Sequence, residues 1–190
     1  MKNVQSAGRL AKIHVKDILK LSLFMLNFNL KKILFYSFIV ILIFTLDRAS
    51  KLYILNYAEV NNSVDIFINS YLNLYLIWNK GIGFGLLSLE ESTVYNFITF
   101  FIFIIIFIIF YMIYKANNYQ VYFLLIILGG AIGNLFDRVY YSAVPDFIDL
   151  HINDFHWFIF NVADIFISIG IFCLIMVEIF FKKENINDKK

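Results

Sequence analysis

The stretch VYNFITFFIFIIIFIIFYMIY, residues 94–114, carries no charged side chain over 21 consecutive positions. About 20 apolar residues in a helix cross the hydrocarbon core of a bilayer, so this stretch predicts a membrane span. Three more apolar runs lie around it. Residues 121–136 are uncharged up to Asp137. Residues 157–181 are long enough but contain Asp164 and Glu178. Residues 33–46 are short at 14 positions, with Lys31 and Lys32 placed to snorkel at one end and Asp47 to Lys51 able to continue the helix at the other.

Composition supports this reading. The chain of 190 residues is 61% hydrophobic and 16% charged, against about 25% charged in an ordinary globular domain, and its mean hydropathy is +0.76. The expected fold is an all-α integral membrane protein of four transmembrane helices with a small extracytoplasmic β element. Seven of the 16 Lys and Arg residues precede Ile33, four follow Phe181, and Lys115 stands between two apolar runs. This lopsided placement signals membrane orientation and not a nucleic-acid partner. It puts both termini and Lys115 in the cytoplasm, and the segments 52–93 and 139–156 outside. Within the first of these, Tyr71 to Trp78 reads as a strand and Asn79-Lys-Gly81 as a turn.

Residues 1–30 form a basic extension, expected to be dispensable, with no cleavage site of a signal peptide. Lys12, Lys16 and Lys20 at helical spacing fit a basic helix on the inner leaflet, and a disordered segment fits equally well. Residues 31–182 are the membrane domain and 183–190 a cytoplasmic tail. The single cysteine, Cys173, excludes an internal disulfide and reads as a small buried hydrophobe.

Polar groups inside apolar spans are costly, on the order of 3 kcal/mol for a central aspartate, and here they gather at the outer ends of three spans. Asp47 and Lys51 lie four apart on one helical face, acid first, the favourable order for an ion pair. In Gly129-Gly-Ala-Ile-Gly-Asn-Leu-Phe-Asp-Arg138, the glycines permit close helix approach. Asn134, Asp137 and Arg138 then crowd one helix end. Asn161 and Ser168 flank Asp164 at i−3 and i+4, making a polar stripe on the last span. Asp146 precedes it within Val144-Pro-Asp-Phe-Ile-Asp149.

The order Asp47-x-x-Ser-Lys51, Asn79-x-Gly-x-x-Phe-Gly85, GGAIGNLFDR, VPDFID and FNVADIFISIG resembles lipoprotein signal peptidase, or signal peptidase II, over about Asp47 to Gly170. The resemblance implies an aspartyl endopeptidase with Asp146 and Asp164 catalytic. Asn79, Asn134, Arg138 and Asn161 would line the site, and Asp47, Lys51 and Asp137 would support it. It also implies diacylglyceryl-modified prolipoproteins as substrates, cut before the lipidated cysteine in the bacterial inner membrane, and inhibition by globomycin-like peptides. Membrane lipids are the other expected partners, and no cofactor or metal is implied. Pro145, where the family often has an aliphatic residue, and the N-terminal extension depart from the pattern.

The chemistry stands without the family. Two neighbouring carboxylates share a proton. The charged member activates a water against a carbonyl, and the protonated member donates to its oxygen. A zinc protease would need HExxH, whereas His151 and His156 are five apart without the glutamate and read as interfacial loop histidines. No serine–histidine motif is present. The rival class is a proton-coupled transporter relaying protons through Asp47, Asp137 and Asp164. These acids sit near one face, and no repeat of broken helices is visible. For the topology, single cysteines at Asn62 and Asn117 in a Cys173→Ser background should label from opposite sides of the membrane, Asn117 from the cytoplasm. Labelling of both from outside contradicts the orientation.

Overall fold

A computed structural model describes the backbone of residues 2–81, 92–116, 119–153 and 155–187. The chain divides into two compact units, Met1–Phe38 and Ile39–Lys190. The first is helical; the second carries all the candidate site residues. The elements in order are α1 (Lys2–Asn61), β1 (Asp65–Asn69), β2 (Leu72–Asn79), α2 (Ser92–Lys115), α3 (Gln120–Tyr141), β3 (Val144–Ile152), β4 (Phe155–Phe160) and α4 (Val162–Asn187). Among the described residues, four helical segments are long and apolar enough to cross a membrane: Leu30–Asn61, Tyr95–Lys115, Gln120–Tyr141 and Val162–Phe180.

Side chains such as Phe97, Phe101, Phe107 and Tyr111 on α2, and Ile169 and Phe172 on α4, are exposed. In water such faces would be a liability; in a bilayer they are the surface that lipid covers. α3 is the central helix. Leu124, Ile127, Leu128 and Ala131 on it pack with Ile106 and Ile109 of α2. Gly130 sets the approach of α3 to α4: a Cβ there would lie 2.6 Å from the Ala163 carbonyl oxygen and 2.9 Å from Ile167. Cys173 is half-buried.

The four strands form one antiparallel sheet in the order β1-β2-β3-β4. The expected strand at Tyr71–Trp78 is present as β2, and Asn79 ends it. Pro145 pairs with Trp78 of β2, while pairing with β4 begins only at Ile148. Its missing N–H therefore falls where β3 has a neighbour on one side alone. Ile54 at the end of the first span packs with Val64 and Phe147 of the sheet region.

Two boundaries differ from expectation. The first helix continues to Asn61 instead of giving way to an outer segment at Leu52. Its charges are neutralised by partners on α3, so the helix runs on and buries Ile54. The last helix begins at Val162 and not at Trp157. The aromatic stretch Phe155–Phe160 satisfies its backbone by pairing with β3, and Asn161 caps the helix that follows. The histidines expected in a loop stand on these strands. Replacing Gly130 by Ala should overpack the α3–α4 contact at a cost of about 1–3 kcal/mol, lowering the melting temperature in detergent by roughly 3–10 °C. An unchanged melting temperature contradicts the close approach.

Candidate active site

Asn161 joins the two acids that the sequence singles out. Its Nδ2 donates to Asp146 Oδ1 at 2.6 Å. Its Oδ1 accepts from the backbone N of Asp164 at 3.1 Å, and its own backbone N donates to Asp164 Oδ2 at 3.2 Å. The last two bonds form a reciprocal N-terminal cap, with Asp164 three residues after the capping Asn. One residue thus starts α4, orients Asp164 on its first turn and reaches across to Asp146 on β3. The helix N-terminus also favours negative charge at this spot.

Each acid has a second amide. Asp146 Oδ2 accepts from Asn79 Nδ2 at 2.8 Å, and Asp164 Oδ1 accepts from Asn134 Nδ2 at 2.8 Å. A bulge in β2 between Leu74 and Ile77, opposite Ile148 and Asp146, carries Asn79 into place. Asn79 Oδ1 in turn accepts from the Gly81 backbone N at 2.8 Å. Asp146 is 1% exposed. Burial, reinforced by the Asp164 carboxylate, pushes the Asp146 carboxyl up to about 7 against the pull of the two amide donors.

Beneath the pair lies a buried ionic cluster. Lys51 Nζ bonds Asp47 Oδ2 at 2.8 Å, Asn134 Oδ1 at 2.9 Å and Asp137 Oδ2 at 2.6 Å, with no exposed surface on Lys51, Asp47 or Asp137. Asp47 Oδ1 accepts from the Ala163 backbone N at 2.9 Å, tying α1 to the start of α4. Gly133 leaves room for that carboxylate, since a Cβ there would lie 2.6 Å from Asp47 Oδ2. Arg48 pairs with Asp137 Oδ1 and stacks over Phe136 at 4.8 Å.

The site opens onto a cavity of about 410 Å³. Asn79, Asn134, Arg138, Asp146, Asn161, Asp164 and Ser168 share its wall with isoleucines of α2, α3 and α4. Arg138 donates Nη2–H to the Gly81 carbonyl and lies 5.5 Å over the Tyr95 ring, while its Nε and Nη1 have no acceptor among the described residues. All nine residues singled out from sequence are therefore brought together: six on the cavity, and Asp47, Lys51 and Asp137 behind it. Phe84 and Gly85 of the glycine motif lie outside the described residues. Arg48 and Tyr95 escaped the sequence reading, because nothing in local spacing ties Arg48 to Asp137 or the Tyr95 hydroxyl to the Arg138 carbonyl at 2.8 Å.

Four apolar helices, with a cavity between α2, α3 and α4 lined by two carboxylates and five other polar side chains, define an integral membrane protein with a site suited to acid–base chemistry. The chain belongs to the signal peptidase II family, whose model, described as Signal peptidase (SPase) II, matches residues 39–181. It is 56% identical over 161 residues to a lipoprotein signal peptidase of Pelagibacter ubique (strain HTCC1062), covering 85% of this chain and 97% of that protein. It is 38% identical to one from Aquifex aeolicus (strain VF5), over 83% of this chain and 92% of that protein. Among solved structures, it is similar to a bacterial membrane enzyme determined by the in meso method at 2.3 Å. The TM-score is 0.59 at 26% identity, covering 79% of this chain and 90% of that one.

The raised Asp146 carboxyl has a thermodynamic signature. An acid that holds its proton more tightly in the folded than in the unfolded state loses stability as pH rises from its unfolded value, about 4, to its folded value. Asn at this position does not titrate. The melting temperature of Asp146→Asn minus that of the wild type should therefore increase between pH 5 and pH 8, whatever the offset from altered hydrogen bonds. A difference independent of pH contradicts the raised carboxyl.

Proposed function

We propose that the chain is an aspartyl endopeptidase that removes the signal peptide from diacylglyceryl-modified prolipoproteins, cutting before the lipidated cysteine, with Asp146 and Asp164 as the catalytic pair. The observation that carries this reading is Asn161: its single side chain and backbone hold both carboxylates against one cavity. Two acids so placed retain one proton between them at neutral pH. The charged member takes a proton from a water as its oxygen bonds to the scissile carbonyl carbon. The protonated member donates to the carbonyl oxygen, and on collapse a proton passes to the leaving amine as the C–N bond breaks.

The other wall residues have consistent roles. Arg138 Nε–H and Nη1–H, without acceptors among the described residues, suit a substrate backbone carbonyl. Asn79, Asn134 and Asn161 orient the acids, and the isoleucine-rich wall suits an apolar signal-peptide segment. Lipid-covered helices next to the cavity favour a substrate anchored at that depth by its diacylglyceryl group. By the distribution of basic residues, both termini lie in the cytoplasm and the site lies near the outer face of the bacterial inner membrane. The transporter reading finds no support: Asp47, Asp137 and Asp164 converge on one cluster through Lys51 and Asn134, and among the described residues no relay crosses the bilayer.

Processing of a lipidated precursor by the protein in proteoliposomes tests the proposal. Wild type should cleave it and leave the unlipidated precursor intact. Asp146→Asn and Asp164→Asn should each lower the rate at least 10³-fold, and the double variant should lose little more, since the two groups act as one unit. Asp65→Asn, on exposed β1, should match wild type. Substantial turnover by either catalytic variant, or efficient cleavage without the lipid, rejects the assignment.

A further inference from the structure

The β3–β4 hairpin carries a second polar cluster that the catalytic reading does not use. His151 and His156 are cross-strand partners, their ring centroids 5.4 Å apart. Asp149 lies two residues before His151, on the same face of β3 by strand alternation and on the opposite face from Asp146. One potential ligand atom from each of Asp149, His151 and His156 lies within 4.8 Å of the others. Asp149 Oδ2 is 2.8 Å from His156 Nδ1 and 3.7 Å from His151 Nδ1.

Burial makes the cluster unusual. The Asp149 side chain is 2% exposed and that of His151 9% exposed. Asp149 Oδ1 and His151 Nδ1 nonetheless have no hydrogen-bond partner among the described residues. A buried carboxylate oxygen left without a donor costs free energy, and so does a buried imidazole nitrogen left without a partner. A cation held by His151 Nδ1 would satisfy that nitrogen, and Asp149 chelating it through both carboxylate oxygens would satisfy Oδ1 as well. His156, with its side chain 56% exposed, gives the cluster an open side through which an ion and a completing water could enter.

We propose that Asp149, His151 and His156 form a site for one divalent transition-metal ion of the zinc class, which clamps β3 to β4. Two imidazole nitrogens and one carboxylate select zinc, cobalt, nickel or copper over calcium or magnesium, which take oxygen donors. Ligand atoms about 2.0–2.2 Å from a tetrahedral zinc lie roughly 3.4 Å from one another. The separations of 2.8 and 3.7 Å bracket that spacing, so shifts of a few tenths of an ångström suffice. On binding, the ion takes the position of the hydrogen shared between Asp149 and His156. The clamp lies within a few residues of both Asp146 and Asn161 but contacts neither carboxylate of the catalytic pair, so its role is to hold the hairpin.

The test uses full-length protein in nanodiscs, freed of any affinity tag and stripped by a chelator. It carries His14→Ala, which leaves His151 and His156 as its only histidines. Zn²⁺ is titrated against a chromophoric chelator, and Co²⁺ is followed by its visible absorption. One equivalent of each should bind, Co²⁺ with the intense bands of a tetrahedral site, and Zn²⁺ should raise the melting temperature. His156→Ala removes an exposed ring and leaves the fold intact, and His151→Gln keeps a polar side chain of similar reach. Each should weaken Zn²⁺ binding by more than the roughly 100-fold upper end of what loss of an outer-sphere partner costs, and should abolish the thermal shift. Equal affinity in the wild type and both variants, or no saturable binding at micromolar Zn²⁺, overturns the proposal.

Discussion

The ammonium of Lys51 has no contact with water, and the arrangement of the spans follows from the need to satisfy it. An isolated buried cation is prohibitive in a low-dielectric interior, so it persists only with acceptors on all sides. Asp47 supplies one from the same helix, and Asn134 and Asp137 supply two from α3. Arg48 balances the cluster's second negative charge by pairing with Asp137. Removing Lys51 would leave two buried carboxylates, of which only Asp137 keeps a cationic partner, Arg48. The cluster therefore fixes the register of α1 against α3, and through the Asp47 bond to Ala163 N it fixes the start of α4 as well.

That rigidity passes outward to the acids. Asn134 accepts from Lys51 with its oxygen and donates to Asp164 with its nitrogen, so its amide orientation is dictated by the ammonium behind it. Asn161 is similarly fixed, its oxygen committed to a backbone N–H of α4 and its nitrogen to Asp146. Both acids thus receive amide donors that cannot turn away. The protein holds them in acceptor geometry, while burial and mutual repulsion oppose their double ionisation. These opposed pressures are what a proton-sharing pair requires.

The spans were legible because period and length suffice for them, and the polar residues because each is expensive where it stands. The Asp47–Lys51 pair and the grouping of Asn161 with Asp164 were legible through i+4 and i+3 spacing, but the cap was not, because the last span reads from sequence as starting at Trp157. Local spacing carries no such information for contacts made across the bundle. Arg48 meets Asp137 across 89 positions, and Tyr95 meets Arg138 across 43. Strand pairing hid the rest. Phe155–Phe160 is as apolar as a helix start, and only its pairing with β3 shows it to be a strand. The same register turns two histidines five apart in sequence into direct neighbours.

The central claim is that Asp146 and Asp164 hold one proton between them at neutral pH. A carboxyl-carbon NMR titration of the protein in detergent, with the Asp146 resonance assigned by its loss in Asp146→Asn, measures this directly. Asp146 should titrate near 7, and its midpoint should fall in Asp164→Asn, where the neighbouring negative charge is gone. An Asp146 carboxylate already ionised at pH 5, with a midpoint indifferent to Asp164→Asn, would contradict the account.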